Sequence, residues 1–153
     1  MQRAQIGPWK IEYDREATQA AYAAWDICRC TCQECQNYMA NVPSFPFTVL
    51  QFFDDLGIDP AKPTEVIGDQ GIYHLVGKYI SGEDIWQPVL EQSQDGLDKS
   101  AERARAVQWF SPAENFFVGF TQSIELQPNE IPPEQTLQME LHLPWLLDEP
   151  CTE

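Results

Sequence analysis

The chain has little positive charge: nine Lys and Arg stand against 24 Asp and Glu, a formal net charge of −15 over 153 residues. A surface of that sign repels a phosphate backbone and an anionic bilayer, which argues against nucleic-acid and membrane-surface binding. Histidine is scarce as well, with two in the chain, so general-base catalysis by imidazole has few candidates. No apolar run approaches the roughly 20 residues that a bilayer requires. The opening MQRAQIGPWKIEYD lacks the basic-then-apolar order of a secretory leader, and the expectation is a cytoplasmic protein. The patterns G-x-x-x-x-G-K-[ST], G-x-G-x-x-G, H-E-x-x-H and G-x-S-x-G are all missing. Two pairs of adjacent acids, Asp54-Asp55 and Glu83-Asp84, read as solvated surface, since neighbours on a helix point in different directions.

What is present is enough for a core. Hydrophobic residues make up 43% of the chain and aromatics 12%, too much for the signature of disorder. A chain of this length buries about 70% of its unfolded surface without help from disulfides, so residues 1–153 are expected to form one globular domain. The first strong element starts near Asp14, a helix-capping residue. It runs through REATQAAYAAWDICRCTCQECQNYMANV without Gly or Pro until Pro43. Ala17, Ala21, Ala24, Cys28, Cys32, Cys35, Met39 and Val42 recur in steps of three or four, which predicts one long helix with these residues on its buried face. A second helix is expected from Pro46 to Leu56, with Val49, Leu50, Phe53 and Leu56 on its core face and Gly57 as its terminator.

After the loop GIDPAKPTEV the period changes. Residues 65–82 read as two short strands or a hairpin turning at Asp69-Gln70-Gly71. Lys99–Val107 is expected to be an exposed helix. Asn115–Leu126 and Thr136–Leu143 are expected strands, and the alternation of Leu137, Met139, Leu141 and Leu143 with Gln138, Glu140 and His142 predicts that one face of the last strand is wet. The aromatic run Trp109, Phe110, Phe116, Phe117 and Phe120 is read as core. Helices first and strands after them predict an α+β domain with two amino-terminal helices on one face of a four- to five-stranded, mostly antiparallel sheet.

The charge imbalance is concentrated. After Arg105 there is no Lys or Arg, but there are eight acids: Glu114, Glu125, Glu130, Glu134, Glu140, Asp148, Glu149 and Glu153. Such a segment can meet a basic partner or simply keep the protein soluble.

Four of the five cysteines fall within eight residues, Cys28-Arg29-Cys30-Thr31-Cys32-Gln33-Glu34-Cys35, and Cys151 lies near the end. A reducing compartment and an odd count both argue against a disulfide framework. Packing, metal binding and redox chemistry remain. On a continuous helix Cys28, Cys32 and Cys35 share one face with Cys30 opposite, where reduced thiols serve as small hydrophobes. In a loop, Cys30, Cys32 and Cys35 form C-x-C-x-x-C, whose thiolates suit Zn²⁺ or Cu(I). A structural zinc needs four ligands, and no second cysteine pair follows. The remaining ligands would come from Cys28, His74, His142 or Cys151, although each histidine falls in an expected strand, where an ordinary role is simpler. A redox role would use Cys32 and Cys35. Against it stand some 18 residues of helical pattern before the pair, where a thioredoxin-like site needs a helix start, and the charge of Glu34 between the thiols.

The run Cys30-x-Cys32-x-x-Cys35-x-Asn37-Tyr38, with the Phe-Pro helix and the Gly57-Ile58-Asp59-Pro60 loop behind it, resembles uncharacterised bacterial proteins carrying C-x-C-x-x-C-x-N-[FY], over roughly residues 10–65. The resemblance implies that Cys30, Cys32, Cys35 and Asn37 act as a unit. From the residues, Asn37 and Tyr38 read as a polar helix end and a core-edge aromatic. The sequence reading is thus a small acidic non-enzymatic interaction domain with a structural zinc. Its rivals are an inhibitor or immunity-type protein covering a basic partner, and a C-x-x-C redox protein.

Overall fold

The computed structural model describes residues 1–25, 30–68, 70–88, 101–103, 109–122, 124 and 126–143. The chain opens with a hairpin ahead of the expected first helix, β1 (Gln2–Ile6) and β2 (Trp9–Tyr13). Ile6 faces Trp9 across a two-residue turn, and Gly7 supplies the positive φ of +58° that the first turn position requires. Trp9, Ile11 and Tyr13 are buried while Lys10 is exposed and Glu12 half-buried, a period-2 pattern. Gln2–Ile6 has almost no apolar alternation of its own, and it becomes a strand because β2 gives it a partner.

The predicted long helix is two helices. The first, α1 (Arg15–Ala24), is capped by Asp14, whose Oδ1 accepts the N–H of Ala17 at 2.9 Å. It ends at an extended Trp25 with φ −111° and ψ 161°. The second, α2 (Gln33–Asn41), starts at a new cap, Cys32. Tertiary anchoring explains the break. Thr18, Ala21 and Tyr22 are buried on α1 but Ala24 is exposed, and the two helices are fixed to different parts of the sheet. A short 3-10 turn, Val42–Ser44, leads to α3 (Phe47–Leu56). Val49, Phe53 and Leu56 are buried there and Leu50 is half-buried. Gly57 ends α3 with φ +83°, its N–H returning to Asp54 O.

The strands that follow are β3 (Glu65–Ile67), β4 (Gln70–Ser81), β5 (Trp86–Pro88), β6 (Ala101–Arg103), β7 (Phe110–Ala113), β8 (Phe116–Thr121) and β9 (Thr136–His142). Residues 101–103 are therefore strand rather than the expected helix, and the ends of that prediction lie outside the described residues. Seven strands form one sheet in the order β1-β2-β4-β9-β8-β7 with β3 also on β4, and β5-β6 is a separate ribbon. Every pairing is antiparallel. The class is α+β, but among the described residues there are three α-helices and a seven-stranded sheet with a separate two-stranded ribbon, in place of two helices and a four- to five-stranded sheet.

The sheet curls. Trp9 on β2 and Phe120 on β8 are three strands apart, about 14 Å if the sheet were flat, yet their rings lie 5.8 Å apart. The concave face carries Ile11, Tyr73, Leu75, Leu137, Met139 and Phe120, all at most 1% exposed. The segment from α2 to α3 closes it through Phe45 on Phe116, Phe52 on Phe110 and Phe53 on Tyr73, with ring centroids 4.9–5.5 Å apart. Gly71 makes room for this lid, because a Cβ there would collide with the Tyr38 ring.

Two positions on β4 show how α1 is held. One edge of β4 pairs with β3 at Gln70–Ile72 and with β2 from Gly77 onward, and α1 fills the gap between them. The Tyr22 hydroxyl donates to His74 O at 2.7 Å and accepts from His74 N at 3.1 Å. Thr18 Oγ1 accepts from Val76 N at 3.0 Å, and Asp14 N donates to Val76 O at 2.9 Å. Two side chains of α1 and the backbone N–H of its cap thus satisfy backbone groups that a strand would otherwise pair.

The last strand has no wet face. Gln138 and Glu140 are each 1% exposed, because the opposite face of the sheet buries a polar chain. His74 Nε2 meets Gln138 Oε1 at 3.2 Å, Gln138 Nε2 donates to Glu140 at 3.3 Å, and Gln70 Nε2 donates to Glu140 at 2.7 Å. Hydrogen bonds of this kind are the condition for burying such groups. Among the described residues no helix is long and apolar enough to cross a membrane.

Candidate metal centre

The helix break creates the site. Cys30 precedes α2 in open chain, Cys32 is its cap and Cys35 lies in its first turn. The three sulfurs lie within 4.8 Å of one another. Backbone N–H groups at the helix start point at two of them: Cys32 N donates to Cys30 Sγ and Cys35 N donates to Cys32 Sγ, each at 3.4 Å. The Cys35 N–H, followed by the Cys30 thiol, pulls the Cys32 thiol below its ordinary range. This is the expected direction for a sulfur facing a helix amino terminus. Cys30 and Cys32 are exposed, while Cys35 is buried in the core with Tyr38 and Val42.

These distances suit a thiophilic ion. Zn–S bonds of about 2.3 Å in a tetrahedron place sulfurs about 3.8 Å apart, so rotamer adjustments of roughly an ångström bring this cluster onto an ion. The grouping is that of the C-x-C-x-x-C loop, and Cys30 does not point away from its neighbours as a continuous helix would require.

The other candidates are placed as follows. Cys28 and Cys151 lie outside the described residues. His74 is fully buried, with Nδ1 2.8 Å from Thr64 Oγ1 and Nε2 on Gln138. His142 packs its ring edge-on against Trp109 at 4.9 Å. Among the described residues neither histidine joins the three sulfurs. Asn37 is 4% exposed, and its Nδ2 finds no hydrogen-bond partner among the described residues. Two helical positions turn it about 200° from Cys35, onto the face of Glu34 and Asn41. Glu34 Oε1 accepts the N–H of Gly68 at 3.0 Å, so this carboxylate is engaged with the β3–β4 turn. Both sequence arguments against a C-x-x-C site, the preceding helix and the Glu34 charge, are weakened by this geometry.

Of three buried tyrosines, sequence reasoning missed Tyr22 and Tyr73 and placed Tyr38 only at the core edge. Tyr38 and Tyr73 share a hydrogen bond of 2.6 Å, and Tyr73 donates to Pro60 O at 2.8 Å. Burial pushes the hydroxyls of Tyr22, Tyr38 and Tyr73 well above the ordinary phenol range. Their spacing in the sequence carries no sign of this, because Tyr38 and Tyr73 meet only when α2 crosses β4. A cleft of 430 Å³ between α1 and α3 is lined by Tyr22, Asp54, Asp59 and Lys62 and by no cysteine. Its lysine donates to Tyr22 O at 2.7 Å. Compared with protein-family models, curated proteins and solved structures, the chain matches none of them.

Proposed function

We propose that this chain is a non-enzymatic interaction domain that binds one zinc ion through Cys30, Cys32 and Cys35. The observation that carries the reading is the convergence of three sulfurs within 4.8 Å at a helix start. Zinc there ties the open chain at Cys30 to the first turn of α2, and through the buried Cys35 to the core. Cys28, two positions before Cys30, is the nearest thiol in sequence for the fourth ligand. The interaction surface is anionic and its partner a basic protein; exposed Glu114, Glu130 and Glu134 support this, whereas Glu140 is buried and makes no such contribution.

Elemental analysis of the purified protein should find about one zinc per chain. A chelator should lower the melting temperature, because metal-binding energy is folding energy when the site forms only in the fold. Cys30→Ser should abolish binding and Cys28→Ser weaken it modestly. Metal-free protein whose melting temperature ignores both zinc and chelator would overturn the reading.

A further inference from the structure

Cys32 and Cys35 differ in a way that metal binding does not require. Cys32 is exposed, at the tip of the helix, and its sulfur receives a backbone N–H. Cys35 is 6% exposed and lies one helical turn along, with its sulfur within 4.8 Å of that of Cys32. Residues three apart at a helix start have Cα atoms about 5 Å apart, within the Cα separations of about 4.4–6.8 Å that a disulfide tolerates. Of this pair Cys32 is the exposed member and Cys35 the buried one; Cys30 is exposed as well, but it lies ahead of the helix and outside the C-x-x-C spacing.

We infer that the metal-free dithiol exchanges with low-molecular-weight organic disulfides, with Cys32 as the attacking sulfur and Cys35 as the resolving one. The Cys32 thiol loses its proton to solvent, and its sulfur attacks one sulfur of the disulfide RS–SR. The S–S bond breaks and RS⁻ leaves, taking a proton from water, so that Cys32 carries a mixed disulfide. Cys35 then loses its proton and attacks the Cys32 sulfur, forming the Cys32–Cys35 bond and expelling the second RS⁻. Two electrons pass from the protein to RS–SR, which becomes two RSH. The inference does not rest on the zinc reading. Zinc enters only as a competitor for the same sulfurs.

The test uses the full chain, reduced and freed of metal, with bis(2-hydroxyethyl) disulfide and oxidised glutathione as probes, read by intact mass and peptide mapping. The native chain should release two thiols and end with Cys32 bonded to Cys35. Cys35→Ser should accumulate a mixed disulfide mapped to Cys32, and Cys32→Ser, which keeps a good capping residue, should react at least about tenfold more slowly. A mixed disulfide on Cys30, equal modification of Cys30 and Cys32, or a native product bridged through Cys30 would overturn the assignment, as would a native chain that fails to react. The two readings fail separately: a chain that takes up zinc but does not exchange loses the redox role alone, and one that exchanges but holds no zinc loses the metal alone.

Discussion

Three buried tyrosine side chains couple the stability of this protein to alkaline pH. Tyr22, Tyr38 and Tyr73 are held protonated by burial, with pKa values raised above the ordinary 10 of an exposed phenol. The unfolded chain therefore gives up these protons first as pH rises. Their contribution to stability is complete below about pH 10 and is lost above it, at up to ~1.4 kcal/mol per pH unit for each group until its folded pKa is reached. Circular dichroism and phenolate absorbance followed together should show these three phenolates appearing with unfolding. Ionisation of all three in a chain that keeps its native near-ultraviolet spectrum would contradict the burial argument. The same scale governs the thiols, where one N–H on Cys32 and the burial of Cys35 separate two residues of identical chemistry.

Among the elements, α1 is the one that takes over the work of a strand. Its Tyr22 hydroxyl satisfies both the N–H and the C=O of His74. Tyr22→Phe keeps the ring but leaves those two backbone groups in an apolar setting, each worth about 1–3 kcal/mol if nothing replaces the hydroxyl. Urea denaturation should show a loss of about 2–6 kcal/mol for the two groups together, with an unchanged slope. A variant as stable as the native chain would mean that water reaches this edge of β4. The helix break belongs to the same scale, since α1 is held to β4 by Thr18 and Tyr22 while α2 crosses to Gly68 and Tyr73 through Glu34 and Tyr38.

For the whole molecule, the net charge of −15 is the property a partner would sense at a distance. If the proposed basic partner is captured by this field, association slows steeply with salt, as the Debye length falls from about 10 Å at 0.1 M to about 3 Å at 1 M. Reversal of the exposed Glu130 and Glu134 to Lys should slow association while changing stability by no more than about 0.5 kcal/mol. Association kinetics against a basic protein across that salt range provide the measurement. Rates indifferent to salt and to reversal would leave the acids with solubility as their role.

The sequence by itself determined the α+β class, the caps at Asp14 and Gly57, the core face of α3, the β3–β4 hairpin and the existence of a cysteine cluster. Each depends on residues close together in the chain, where period and capping chemistry act directly. The β3–β4 turn fell slightly earlier than expected, with Ile67 opposite Gln70. Tertiary structure decided what local pattern leaves degenerate. A helical stripe fits one helix or two, and only the separate anchoring of α1 and α2 placed Cys32 at a helix start. The alternation of Gln138 and Glu140 with leucines and Met139 fits a wet strand or a buried polar chain equally well. The choice lay with His74 and Gln70, more than sixty residues away in sequence and one strand away in space.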